Sequence, residues 1–201
     1  MTTPMLALPS AGGTGPDVRL RRATLPLATI VAGVATFLVF AGLIGAYLGL
    51  KAASGSAAWP PKGVKFDNYT ASILAITAVM GSVTIEWAAY GIRKGFRGQS
   101  LFGYGLTVVF GVAFLNALAY LISKFGFGPV ATPYATVVHV MAAAAFVVAA
   151  VATVGTVLGG LRAVGHQLTT DNQEVARSAA LLWHLATVCW IAVYYTVYVT
   201  K

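Results

Sequence analysis

Apolar residues run along this chain in five long blocks, 25–50, 69–92, 100–123, 133–161 and 176–198, with short polar stretches between them. Each block is near or above the ~20 residues that a helix needs to cross the hydrocarbon core of a bilayer. No strand-like alternation and no internal repeat interrupts the pattern. The expected fold is all-α, a polytopic membrane bundle of five transmembrane helices that forms one domain over 25–201. Residues 1–24 are rich in Pro, Gly, Ala and Thr and are expected to be a flexible cytoplasmic tail. The first apolar block is longer than the ~7–15 residues of a signal-peptide core, so it reads as a retained first helix.

Composition agrees with the pattern. Of 201 residues, 58% are hydrophobic and only 9% charged, too little charge to cover a soluble domain. The net charge of +8 does not read as a nucleic-acid surface, because the cations fall between the apolar blocks and leave no basic face over. Their distribution reports orientation instead. With the N-terminus cytoplasmic, the inner segments hold Arg19, Arg21, Arg22, Arg93, Lys94, Arg97, Arg162 and Arg177. The outer segments then hold Lys51, Lys62, Lys65, Lys124 and Lys201. Cys189, the only cysteine, lies inside the last block and reads as a small core residue.

A few polar residues inside the blocks carry the candidate chemistry. Glu86 is the only acid within a span, Asn116 is the polar candidate of the third, His139 lies near the start of the fourth, and Trp183-His184 sits mid-way along the fifth. An ionisable group in a span usually faces protein, so His184 marks an expected packed face. By helix rise, Glu86 and His184 lie about 9 and 12 Å from the inner ends of their helices, whereas His139 enters from the outer side, roughly 17 Å from Glu86 along the normal. Two contacts are therefore weighed for Glu86: a hydrogen bond to His184, direct or through one water, and, favoured slightly over it, a reach to the inner interface beside Arg93 or to another subunit. Tyr194, Tyr195 and Tyr198 read as an interfacial belt, and Trp59-Pro60-Pro61 as a stiff loop. Gly155-x-x-x-Gly159 reads as a close-approach motif, and Asp171-x-x-Glu174 as a capping box. No spacing places two metal ligands on one helix face, and no Ser-His-Asp set, phosphate loop or nucleotide fingerprint is present.

Four stretches carry a resemblance: Phe-Leu-Val-Phe at 37–40 through 50, followed by Trp59-Pro60-Pro61-x-Gly63; Asn68-Tyr69-Thr70; Val138-His139-Val140; and Leu182-Trp183-His184-Leu185 followed by Trp190. In order and spacing they are similar to subunit III of the haem-copper respiratory oxidases, in its five-helix form. The resemblance implies an accessory subunit with no haem, copper or catalytic residue of its own. It implies a place in the bacterial plasma membrane beside a haem- and copper-containing catalytic subunit I and other oxidase subunits, with bound phospholipid and no nucleic acid. Glu86, His139, His184, Trp183, Trp59 and Thr36 are the expected structural or buried polar positions. Three departures stand out: Thr36 where the family usually has Glu, Thr136 in place of the first histidine of the paired motif, and Thr187 at the family Asp. Three readings compete: a membrane cytochrome using His139 or His184, a related subunit accompanying a nitric oxide reductase, and a small transporter built on Glu86. The absence of an inverted repeat argues against the last.

Overall fold

A computed structural model describes the backbone of residues 16–200 other than 56, 58, 62–63, 65–66 and 171, with side chains from residue 24 onward. It contains α1 (Pro16–Ala53), α2 (Asn68–Lys94), α3 (Arg97–Ser123), α4 (Pro133–Val164) and α5 (Glu174–Tyr194). A single π turn, Tyr195–Val199, continues α5. All five helices are long and apolar enough to cross a membrane. The protein is a multi-pass, all-α membrane protein.

The helix ends follow from local chemistry. The Asp67 carboxylate accepts from the Thr70 amide at 3.0 Å and opens α2. Thr132 does the same for the Ala135 amide at 3.0 Å, with Pro133 in the first turn of α4, where a missing N–H costs nothing. Gly95, at φ 74°, takes the left-handed conformation that closes α2, and its amide returns to the Ile92 carbonyl. Two sequence expectations change here. Residues 16–24, expected in the tail, are the first turns of α1: Pro16 suits a first-turn position and the arginines that follow are good helix formers. Residues 1–15 lie outside the described residues. Asp171 of the expected capping box also lies outside them, and the N-cap of α5 is Gln173, which makes no side-chain capping bond.

Helices α2, α3, α4 and α5 pack in a ring, each against the next, and α1 lies outside it against α5 and α4. Lipid tails are as apolar as leucine, so the ring is held by close packing and interhelical hydrogen bonds rather than by water exclusion. Small residues supply the closeness. Ala71, Ala78, Gly81, Ala88 and Ala89 line the buried stripe of α2, and Ala142, Ala145, Ala149, Ala152 and Gly159 that of α4. A Cβ on Gly103 would stand 2.8 Å from that of Ala88, and one on Gly159 would stand 2.8 Å from the Tyr104 ring. The second residue of the Gly155-x-x-x-Gly159 motif therefore receives an aromatic side chain of α3. Beyond the buried Val137 and Val138 of its first turns, the exposed side of α4 is made of larger Val and Leu side chains, among them Val147, Val151, Val154, Leu158 and Leu161.

Candidate functional site

Trp183 joins α5 to α2. Its indole is buried over Gly81, where a Cβ would stand 2.3 Å from the ring, and its Nε1–H donates to the Ala78 carbonyl at 3.1 Å. One turn on, the Thr187 hydroxyl is within bonding reach of the carbonyls of Ala78 (3.1 Å) and Trp183 (3.0 Å) and of the Ser82 hydroxyl (2.8 Å). A second hydroxyl pair, Thr84 and Thr107 at 2.8 Å, ties α2 to α3, and the Ser100 hydroxyl donates to the Ala88 carbonyl at 2.9 Å. The interior polarity of the ring is thus neutral hydroxyls on carbonyls. Thr187, at the family's acidic position, belongs to that set.

His184 is one residue from Trp183 and so about 100° further around α5. Its Nε2–H donates to Glu86 at 3.2 Å, across the α5–α2 boundary, and the Arg93 guanidinium lies 3.5 Å from the other carboxylate oxygen. Both contacts weighed from the sequence are present together. Their position differs from the expectation. The side chains of His184, Glu86 and Arg93 are 38%, 48% and 41% exposed, so the group lies on the outside of the bundle rather than on a packed face. Asn116 is also exposed, on the outer side of α3, rather than interior.

Two further expected positions, Trp59 and His139, lie at the other end. Trp59 is half-buried and meets Tyr47 of α1 edge-on at 5.4 Å and Tyr134 of α4 at 4.9 Å. It thereby clamps the α1–α2 link onto the bundle. His139, also half-buried, donates from Nδ1 to the Ala135 carbonyl at 2.9 Å and sets its edge against the stacked rings of Phe125 and Phe127. Thr36 is half-buried, and its hydroxyl donates to the Ala32 carbonyl of its own helix. The tyrosine belt is reduced to exposed Tyr195. Tyr198 is buried, and Tyr194 stacks on it at 6.0 Å and bonds the Ser72 hydroxyl at 2.9 Å. Cys189 is buried in the core. Among the described residues, no group of three His, Cys, Asp or Glu could hold a metal ion.

Residues 18–201 match the family model described as "Cytochrome c oxidase subunit III". This protein belongs to that family. Its curated relatives include cytochrome c oxidase subunit 3 of Formosania lacustris and of Scyliorhinus canicula, 26% and 27% identical over 152 residues. That of Paracentrotus lividus is 30% identical over 152 residues. In each case 70% of this chain aligns with 54% of the relative, so the chain spans about half the length of the curated relatives it matches.

For a cytochrome c oxidase subunit III relative, the structure gives the quoted motifs distinct mechanical roles. Trp183 locks α5 to α2, His184 reaches Glu86, Trp59 closes the α1–α2 link, and His139 holds the α3–α4 link. The seats of these residues, Gly81 for Trp183 and Tyr47 with Tyr134 for Trp59, were not singled out from the sequence. The repeat of small residues at Ala71, Ala78, Gly81, Ala88 and Ala89 was the signal that could have found the first.

Proposed function

We propose that this chain is an accessory, cofactor-free subunit III of a haem-copper terminal oxidase, which packs against the catalytic subunit, keeps it assembled and holds phospholipid. One observation carries the reading: the family match runs through all five spans, and its aromatic and histidine motifs are used for packing and helix-to-helix hydrogen bonds. The catalytic partner would supply the haem and copper and the oxygen chemistry.

The orientation that fits is cytoplasmic for the N-terminus and for the α2–α3 and α4–α5 links, which carry Arg93, Lys94, Arg97 and Arg162. Those two links are joined, since the Arg97 guanidinium donates to the Val164 carbonyl at 2.8 Å. A groove of about 260 Å³ between α1, α4 and α5, lined by Leu25, Leu158, Leu182 and Arg162, has the apolar walls and the cation that a phospholipid requires.

Tagged chain purified from its native membrane in mild detergent tests the reading. The expected result is a large haem- and copper-bearing subunit in equal amount. A haem spectrum from this chain alone, or purification without such a subunit, would overturn it.

A further inference from the structure

We propose that the outward face shared by α2 and α5, centred on Glu86 and His184, is the seat of a transmembrane helix of the catalytic subunit, which presents a hydrogen-bond donor at the depth of this pair. The proposal rests on the functional reading above and adds the place and chemistry of the contact.

Depth is the first argument. Glu86 lies eight residues from the end of α2 at Lys94, about 12 Å along the helix, and His184 lies ten residues from the start of α5, about 15 Å along it, so both fall within the apolar spans. Ionisable groups at that depth are costly against lipid and are met almost always by protein or by a water-filled cavity. Here the carboxylate side chain is 48% exposed and the imidazole 38%. Arg93 balances the charge of Glu86 but leaves it uncovered, being itself 41% exposed.

Bonding capacity is the second. With Nε2–H given to Glu86, the other ring nitrogen of His184 has no hydrogen bond among the described residues, and the carboxylate retains free lone pairs. The pair is rich in acceptors, so its complement is a donor. A second copy of this chain across a two-fold axis would present the same acceptors again, with its Arg93 guanidinium already turned to its own Glu86. A lipid headgroup would have to sit about 12 Å below the helix end.

Contrast within the molecule is the third. One turn from the pair on the same two faces lie exposed Val83, Leu181 and Val188, apolar neighbours that a partner helix would cover so as to keep water from the polar contact. The outward face of α4, by comparison, exposes Val140, Val147, Val151, Val154, Leu158 and Leu161 along its membrane length. Lipid alone satisfies that surface.

A photo-crosslinking amino acid placed at Val83 or Val188, with Val147 and Val154 as controls, tests this in membranes that hold the assembled complex. The expected result is an adduct with the haem-bearing subunit, identified by its peptides, from Val83 and Val188 and not from the α4 positions. Alongside it, Glu86→Ala should lower the haem recovered with tagged chain by about tenfold or more, in line with removing one member of a covered charged pair, and Glu86→Gln should restore part of it. The melting temperature of the purified chain should move little in either variant. Adducts from α4 alone, adducts between copies of this chain, or lipid adducts only would overturn the docking face. If the wild-type chain still brought down the haem-bearing subunit in those cases, the accessory function would stand. If it did not, that function would fall, and the docking face with it.

Discussion

The indole of Trp183 on α5 rests on the bare Cα of Gly81 on α2, and its N–H closes the contact on the Ala78 carbonyl at 3.1 Å. A side chain at residue 81 and this tryptophan exclude one another. Gly81→Val is expected to destabilise the chain by about 1–3 kcal/mol, the usual cost of overpacking. Gly49→Ala, where no atom lies within 4 Å of the new Cβ, should leave stability unchanged or slightly higher. Thermal unfolding in detergent compares the two, and equal melting temperatures would remove Gly81 as the seat.

The Glu86–His184 contact predicts coupling in the chain itself, before any partner is present. Glu86→Gln, His184→Gln and the double variant form a cycle whose interaction energy is expected near ~0.6 kcal/mol, the average for interhelical hydrogen bonds in membranes. The combined loss should be smaller than the sum of the single losses. Strict additivity would mean that the two side chains only lie near one another.

Asp67 opens α2, and the Thr70 hydroxyl and amide together hold its carboxyl below the usual carboxylate range. A carboxyl lowered in the folded state adds stability above its unfolded pKa and loses it as pH falls through the folded one. Wild-type chain should therefore soften at acid pH on the low side of ordinary carboxylate titration, and Asp67→Ala should lack that part of the response. At neutral pH the variant should lose ~1 kcal/mol, a typical N-cap. Melting curves against pH check both, and identical pH profiles would refute the role.

Orientation is decided by labelling. Ala57→Cys in the α1–α2 link should react with an impermeant thiol reagent in intact cells, and Gly98→Cys beside Arg97 only in inverted vesicles. The buried native Cys189 should give little background. The opposite pattern would reverse the topology.

The five spans were legible because lipid demands unbroken apolar runs, and the observed ends of α2 to α5 fall within three residues of the sequence blocks once the π turn to Val199 is counted with α5. The near level of Glu86 and His184 followed from helix rise alone. Which way each side chain faces was not legible. In a soluble helix polarity marks the outside, but over residues 140–154 of α4 the exposed valines face outward and the buried alanines face protein, and both are apolar. Asn116 was placed inward and His184 on a packed face for that reason. Size is the surviving signal, with small residues inward and branched ones outward. It correctly separates Ala142, Ala145 and Ala149 from Val147, Val151 and Val154. The start of α1 was missed because Pro16 looks like a loop residue in a Pro- and Gly-rich segment, although it also suits the first turn of a helix.

α1 has its seat on α5 and α4, not chiefly on α2, its neighbour in sequence, and Lys51 at its end is bonded to the carbonyl of Thr200 near the end of the chain. Synthesis delivers these partners in the opposite order from their need. α1 waits through three further insertions before α5 arrives, and the ring of four cannot close until then either. A ribosome that stalled before Glu174 would leave α1 without its main seat as well as α5 missing. α5 and the turn after it are thus the completion signal of this bundle, and their arrival is the moment at which its outward faces are first all in place.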